Sequence, residues 1–179
     1  MTEPVFNKIA IIGAGLIGAS IARAAVQYGA AGTVSLYDSS EDVRQRAAGI
    51  ALGDVADNLA TAVAEADCVF LCVPVGALQA VAADAVPLMK AGAVLTDVGS
   101  VKGQATEALA AAADGRVHII PGHPIAGTEQ SGPEAGFPTL FQNAWHILTP
   151  LADGDDNYDA AVSTLEAFWT QLGATVETM

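Results

Sequence analysis

Basic residues are scarce in this chain of 179 residues, which carries 7 Lys and Arg against 20 Asp and Glu and has a formal net charge of −13 at pH 7. All seven basic residues fall within the first 116 positions, and the last 63 positions carry eight acidic residues. No Lys/Arg cluster is present, and nucleic acids and anionic membranes attract basic surfaces, so we expect neither as a partner. This composition favours small-molecule partners.

Cysteine is also rare, and the two residues present, Cys68 and Cys72, share one apolar run predicted as a strand. Four strand residues span about 13 Å, whereas a disulfide needs Cα atoms within about 7 Å. We therefore expect buried reduced thiols, which favour a cytoplasmic location. The first four residues are not basic and glycines interrupt the apolar stretch at 9–22, so neither a signal peptide nor a membrane span is expected. No His, Cys and carboxylate set has metal-ligand spacing, so no metal is expected.

Apolar β-branched runs alternate with alanine-rich stretches of helical length. This order predicts an α/β fold, a doubly wound and mostly parallel sheet with helices on both faces. The runs are continuous rather than alternating, so the strands should be buried on both faces. We predict strands at 8–12, 33–37, 67–73, 94–96, 117–120 and 145–148, and helices at 16–28, 41–48, 59–65, 77–89, 102–113 and 158–171. The segment 121–138, rich in Gly and Pro, is predicted to be a long functional loop.

A glycine-rich turn follows the first predicted strand and opens the first helix. Its residues are Gly13, Ala14, Gly15, Leu16, Ile17 and Gly18. Asp38 ends the next strand, twenty residues after Gly18. This context predicts a dinucleotide-binding (Rossmann) domain over residues 1–179, in which the turn and the helix N-terminus bind a diphosphate.

Asp38 determines which dinucleotide is expected. A carboxylate here accepts hydrogen bonds from the adenosine ribose and repels the extra phosphate of NADP, so NAD is favoured over NADP. Two alternatives remain open. Asp38 could instead only start a turn and cap the next helix, and Arg44 or Arg46 could meet a 2′-phosphate.

Ligands of parallel α/β sheets bind beyond the carboxyl ends of the strands, and several candidate residues lie there. Val73 and Pro74 are predicted to wall the nicotinamide ribose, with an ordinary strand-to-helix turn as the alternative. Ser100 is predicted to place a hydroxyl at the cleft, or else to cap the helix that begins near Lys102. Lys102 itself is expected to cap that helix or to pair with a carboxylate such as Asp97.

His123 follows the strand predicted at 117–120 and is the candidate catalytic residue. Histidine titrates near neutral pH, so its neutral ring can accept a proton from a substrate hydroxyl as that carbon gives up hydride. His118 and His146 lie inside apolar strands and are expected to be hydrogen-bonded core or edge residues. Trp145 and Trp169 are expected to be packing residues.

Four segments, in order, resemble the prephenate/arogenate (cyclohexadienyl) dehydrogenase family, specifically its N-terminal nucleotide-binding part. They are GAGLIGAS, DVGSVK, GHPIAGTE and NAWHILTP. The resemblance implies NAD-dependent oxidative decarboxylation of prephenate or L-arogenate in tyrosine biosynthesis. It also implies that His123 accepts the proton of the substrate's 4-hydroxyl, that Ser100 orients His123 and approaches the nicotinamide, and that Thr128 and Glu129 line the substrate entrance.

The family further implies a C-terminal helical domain that forms a homodimer and supplies cations to the substrate carboxylates. We expect that domain to be absent from this chain, and the chain alone to be weak or inactive. Two alternatives remain: a noncatalytic NAD-binding module, and another Rossmann dehydrogenase of the hydroxyacid or pyrroline-carboxylate type, although such enzymes lack the GHPIAGTE loop.

Overall fold

The structure, a computed structural model, describes residues 3–151 and 154–179, and Met1, Thr2, Ala152 and Asp153 lie outside the described residues. The helices are α1 Leu16–Gln27, α2 Glu41–Gly49, α3 Leu59–Val63, α4 Leu78–Ala85, α5 Lys102–Ala112 and α6 Asp156–Gln171. The strands are β1 Phe6–Ile12, β2 Ala31–Tyr37, β3 Asp54–Val55, β4 Cys68–Leu71, β5 Val94–Asp97, β6 His118–Ile119, β7 Gly122–Pro124, β8 Trp145–Leu148 and β9 Thr175–Thr178.

The main sheet contains six parallel strands in the order β3-β2-β1-β4-β5-β6. Alternate residues of β1 point into two separate cores. Ile9 and Ile11 pack with α1 and α6 on one face, whereas Ala10 and Ile12 pack with α3, α4 and α5 on the other. The predicted doubly wound α/β fold is confirmed, and so is the burial of its central strands on both faces.

A second sheet of three strands, in the order β7-β8-β9, lies beside the edge of the first. β8 corresponds to the strand predicted at 145–148, but it pairs antiparallel with β7 and parallel with β9 instead of extending the main sheet. The outer edge of β6 is instead occupied by Tyr158, whose hydroxyl donates to the Ile119 carbonyl at 2.7 Å. The predicted loop at 121–138 therefore begins with a strand, β7.

Several predicted boundaries differ from the structure for local reasons. The helix predicted at 77–89 is α4 flanked by short 3-10 turns at Val75–Ala77 and Val86–Leu88. Pro87 lies in the second turn and has no N–H for a helical hydrogen bond. The strands β3 and β9 were not predicted, because β3 has only two residues and β9 is largely exposed.

Helix α6 closes the core that it shares with α1. Phe168 is fully buried, and its ring lies 5.6 Å from that of Phe6 and 5.1 Å from that of Phe70, measured between centroids. Trp169 is also fully buried, as expected for a packing residue. The same expectation is wrong for Trp145, which is 52% exposed because its position on β8 faces away from the core.

No helix within residues 3–151 and 154–179 combines the length and the apolar character needed to cross a bilayer.

Candidate functional site

The glycine-rich turn connects β1 to α1 at the carboxyl edge of the main sheet. Gly13 has a φ of +101°, and a Cβ at this position would collide with the Cys72 carbonyl oxygen beside β4. A Cβ at Gly18 would likewise collide with the Gly13 carbonyl oxygen. Gly15 differs, because a Cβ there would meet no atom within 4 Å. The turn therefore packs tightly against the protein at both ends and presents open backbone in the middle.

The N-terminus of α1 follows directly, with Gly15 as its cap and no side chain bonded to its first amides. Leu16 and Ile17 are the first two residues of this helix and are half-buried. Free amides at the start of a helix of this length attract anions. The arrangement fits a diphosphate, as the sequence predicts.

Asp38 lies at the carboxyl end of β2, directly beside this turn. Its carboxylate accepts hydrogen bonds from the backbone N–H of Ala14 at 3.0 Å and of Ser40 at 2.9 Å. The cap of α2 is Ser40, whose hydroxyl accepts from the Val43 N–H at 3.3 Å. The alternative that Asp38 caps this helix is therefore wrong.

A cavity of about 280 Å³ opens next to Asp38. Its lining is mostly apolar and includes Ile12, Gly13, Tyr37, Leu59, Val73 and Val81. Val73 thus lies in the same cavity as Gly13 and Asp38, whereas Pro74 is exposed at the start of the following 3-10 turn. The volume and the mostly apolar lining suit an adenosine, which the Asp38 carboxylate would orient. The exposed Asp84 adds a second carboxylate to the same lining.

The two nearby arginines both have protein partners. Arg44 lies 5.6 Å from the centre of the Tyr37 ring and donates to the Asp38 carbonyl at 2.7 Å. Arg46 donates through Nε to Glu134 at 2.7 Å and also pairs with Asp42. A 2′-phosphate would therefore have to compete with these partners for either guanidinium.

Asp97 ends β5 and forms the polar centre of the neighbouring region. Its carboxylate is fully buried and accepts from the Lys102 ammonium at 2.6 and 2.8 Å, from the Gly99 N–H at 2.8 Å and from the Gly122 N–H at 3.1 Å. Lys102 also donates to the Gly122 carbonyl at 2.6 Å. The expected pairing of Lys102 with Asp97 is confirmed.

Ser100 lies in the exposed turn between β5 and α5. The cap of α5 is Val101, and no side chain bonds to the helix amides there, so the capping alternative for Ser100 is wrong. Within the described part of the chain, the Ser100 hydroxyl makes no hydrogen bond to His123. Ser100 lies three residues beyond the carboxyl end of β5, and its predicted role at the cleft stays a prediction.

His123 is the central residue of β7, opposite Ile147 of β8, and it is half-buried. Burial lowers the pKa of its imidazole, and the nearby Lys102 ammonium lowers that pKa further, while Asp97 and the Val98 backbone oppose the shift. Because the ordinary value is about 6.5, the ring is neutral at pH 7. A neutral ring can accept a proton.

His146 lies on the opposite face of the same small sheet. It is fully buried and stacks on Trp169, with ring centroids 3.8 Å apart and ring planes 16° apart. Burial lowers its pKa to about 3. The expected core location is confirmed, but the expected hydrogen bonding is wrong, since both ring nitrogens lack a partner among the described residues. His118 is half-buried at the sheet edge, beside the Tyr158 ring.

Thr128 and Glu129 lie in the exposed loop that follows β7. The Thr128 hydroxyl accepts from the Gln130 N–H at 3.2 Å. In the described residues, no group of three or more His, Cys, Asp or Glu side chains is arranged to hold a metal ion.

Two features of the site were not predicted from the sequence. One is the contact of Asp97 and Lys102 with Gly122, which joins segments twenty or more positions apart. The other is the position of His146 beneath Gly122, where its Nε2 would lie 2.9 Å from an added Cβ. The pattern DVGSVK did indicate the ion pair, but nothing in the sequence indicated its second partner.

Comparisons with known proteins agree with one another. The family model described as the nucleotide-binding domain of prephenate dehydrogenase matches residues 21–178. The cyclohexadienyl dehydrogenase of Zymomonas mobilis is 46% identical over 176 residues, which are 98% of this chain and 59% of that protein. The crystal structure of Synechocystis arogenate dehydrogenase gives a TM-score of 0.85 at 28% identity, over 96% of this chain and 59% of that one.

A prephenate dehydrogenase from Aquifex aeolicus is similarly close in structure. Its TM-score is 0.83 at 29% identity, and the match covers 97% of this chain and 61% of that chain. This chain therefore spans about three-fifths of the length of these three proteins.

Proposed function

The chain belongs to the family of prephenate dehydrogenase nucleotide-binding domains, and from that premise we propose that it binds NAD and supplies the base for oxidative decarboxylation of prephenate or L-arogenate. The observation that carries the proposal is the position of His123 on β7 beside the carboxyl end of β5, where Gly122 bonds to Asp97, on the same side of the main sheet as the glycine turn and Asp38. Phosphate binding and proton transfer are thus provided at one end of one domain.

The residues of the glycine turn fit a bound dinucleotide. Gly15 leaves room for a diphosphate to approach the backbone, and the first amides of α1, at Leu16 and Ile17, are directed at the same place. Gly13 and Gly18 hold the turn against β4 and β1. Val73 lines the cavity beside Asp38, and we propose that it continues, with the exposed Pro74, as a wall toward the nicotinamide ribose.

NAD is proposed in preference to NADP because of charge. The Asp38 carboxylate is fixed by two backbone amides and would repel a 2′-phosphate, and Arg44 and Arg46 are engaged by other groups. Calorimetric titration with the two cofactors tests this, and we expect at least about tenfold tighter binding of NAD, equivalent to about 1.4 kcal/mol. Equal affinity would contradict the role of Asp38.

When bound, the nicotinamide supplies the hydride acceptor. His123, held neutral, accepts the proton of the substrate's 4-hydroxyl as the ring carbon loses hydride and carbon dioxide leaves. Ser100 is proposed to orient His123 and to approach the nicotinamide. Because the exposed Ser100 hydroxyl does not touch His123 in this structure, that role requires Ser100 to move when ligands bind. Thr128 and Glu129 are proposed to line the entrance.

The chain by itself is proposed to turn over slowly. A substrate with two carboxylates needs cations, and the ammonium of Lys102 already bonds to Asp97 and Gly122. We propose that the missing cations and the homodimer contact come from a helical domain, corresponding to the part of the longer relatives that this chain does not span. We also propose a cytoplasmic location, since both cysteines are free thiols whose pKa values are raised by burial.

NADH formation from prephenate and from arogenate tests the proposed reaction. With the helical domain supplied to every variant, His123→Asn should lower kcat by about 10²–10⁴ with little change in NAD affinity, because only the proton acceptor is removed. The matched control is His118→Asn. It should retain activity, because His118 lies at the start of β6, beside the Tyr158 ring. Equal rates for His123→Asn and the parent chain would remove His123 from this role. NAD binding without turnover even after a helical domain is supplied would favour a noncatalytic module.

A further inference from the structure

We propose that Asp97 and Lys102 are positioning residues, which together grip the Gly122 backbone and so fix the imidazole of His123. The inference rests on the proposed function of His123 but uses different contacts. The ion pair belongs to the β5–α5 connection of the main sheet, whereas Gly122 and His123 belong to β7 of the small sheet. The pair is therefore a polar joint between the two sheets.

The joint contacts both polar groups of one residue. The Gly122 N–H donates to Asp97 Oδ1 at 3.1 Å, and the Gly122 carbonyl accepts from Lys102 Nζ at 2.6 Å. β7 has three residues and, in the part of the chain that the structure describes, it pairs with one strand, β8. Side chains thus replace the missing strand on its other side, and they do so at the residue next to His123.

Burial of Asp97 and Lys102 favours a single geometry for their hydrogen bonds to Gly122. The Asp97 side chain is 0% exposed and that of Lys102 is 19% exposed, so water competes little for these hydrogen bonds. Among the described residues, the Asp97 carboxylate accepts from three donors of the same small region, Gly99, Lys102 and Gly122. A buried charge pair with complete hydrogen bonding has one favoured geometry.

The Gly122 backbone packs closely against both β8 and the end of β5. A Cβ at position 122 would lie 2.9 Å from Nε2 of His146, 3.2 Å from the Asp97 carbonyl and 3.3 Å from a methyl carbon of Leu148. Glycine therefore lets the backbone come within reach of both side chains. The His146 ring packs against Gly122 and stacks on the Trp169 ring.

The pair also acts on the charge of His123, in two opposing directions. Lys102 on α5 lowers the pKa of His123, and Asp97 on β5 raises it. His146 on β8 also interacts with the His123 ring, and it is neutral because burial lowers its pKa to about 3. Glu177 on β9 is separated from His123 by Ile147 of the intervening strand. Removing one member of the pair should therefore move the His123 pKa one way, and removing the other should move it the opposite way.

The test is an NMR pH titration of the His123 ring in this chain, with the resonance assigned from His123→Asn. Lys102→Met should raise the pKa of His123, and Asp97→Asn should lower it, each by about 0.5–1 unit. Lys102→Arg, which keeps the cation, should retain the lowered value. Lys90→Met is the matched control, because it breaks a Lys–Asp pair of the same 2.6 Å length with Asp67, away from Gly122, and it should leave the titration unchanged.

If Asp97 and Lys102 only stabilise the fold, either substitution would loosen the site. The His123 pKa of both variants would then move toward its ordinary value of about 6.5. Shifts in the same direction, or an unchanged value in Lys102→Met, overturn the proposal. If Asp97→Asn does not fold, the test compares the His123 pKa of Lys102→Met with that of Lys102→Arg. Equal pKa values in these two variants overturn the proposal. The measurement needs no turnover. A chain that shows these shifts but oxidises neither prephenate nor arogenate, even after a helical domain is supplied, would refute the proposed function and leave the joint intact.

Discussion

Replacing Gly13 or Gly15 by alanine adds one methyl group to the same turn, yet the two variants should fail in different ways. Gly13 is held against β4, whereas Gly15 faces the space assigned to a diphosphate. The first change should therefore reduce the stability of the fold, and the second should reduce the affinity for NAD.

The magnitude for Gly13→Ala comes from two effects. The residue has a φ of +101°, a conformation that costs a non-glycine residue about 1–3 kcal/mol. The added Cβ also collides with the Cys72 carbonyl, and overpacking of this kind costs about 1–3 kcal/mol. We expect the free energy of unfolding to fall by about 2–6 kcal/mol, which lowers Tm by on the order of 10 °C for a domain of this size.

The Gly15→Ala variant should instead keep its stability. Gly15 has φ −83° and ψ −160°, values that alanine adopts freely, and no atom lies within 4 Å of the new Cβ. The free energy of unfolding should change by less than about 1 kcal/mol. The methyl group would occupy the place that we propose for the diphosphate, so NAD affinity should fall at least about tenfold, or about 1.4 kcal/mol.

Urea unfolding and calorimetric titration with NAD measure the two quantities on the same preparations. If Gly15→Ala binds NAD as tightly as the parent chain, the diphosphate does not lie at this turn. If Gly13→Ala unfolds at the parent urea midpoint, the turn is not packed against β4 in the way described. Either result would refute the reasoning for that residue while leaving the other testable.

Three further predictions concern the cofactor, the core and pH. Asp38→Asn should weaken NAD binding and reduce the discrimination against NADP in calorimetry, and unchanged discrimination would assign selectivity elsewhere. Phe168→Ala should lower the free energy of unfolding by about 3–5 kcal/mol in urea, because the ring is fully buried among other aromatics; a loss below about 1 kcal/mol would contradict that packing. The pKa of His146 is about 3 in the fold and about 6.5 unfolded, so the unfolded chain takes up this proton first and stability should fall as pH drops from 6.5 toward 3, by up to about 1.4 kcal/mol per pH unit. His146→Leu should have a shallower pH dependence of stability over that range, and an identical slope would show that His146 does not stay neutral.

Local sequence patterns were sufficient to predict the features that depend on residues close together in the chain. The turn from Gly13 to Gly18 and its position between β1 and α1 were predicted correctly, because glycine spacing and an adjoining apolar run act within one βα unit. The resemblance carried by GAGLIGAS, DVGSVK, GHPIAGTE and NAWHILTP is confirmed by the family match. The pairing of Lys102 with Asp97 was also foreseen, since the two residues are only five positions apart.

Contacts between distant segments were not predictable in the same way. β7 lies in a stretch whose Gly and Pro content favours a loop, and it is a strand only because β8 pairs with it. Trp145 was expected to pack inside, but β8 pairs in the small sheet, in which its side chain faces outward. His146 was expected to find a hydrogen bond, whereas its neighbours in space are the Trp169 ring and the Gly122 backbone.

The amino-acid sequence by itself determined the doubly wound α/β fold, the place of the dinucleotide turn and the family, because each follows from apolar periodicity or from residues close together in the chain. The tertiary structure alone decided how the small sheet meets the large one and which groups surround His123. That difference has a physical origin. The charge of an imidazole depends on its burial and on the distances to Lys102 and Asp97, and those quantities exist only after segments far apart in the chain have packed together.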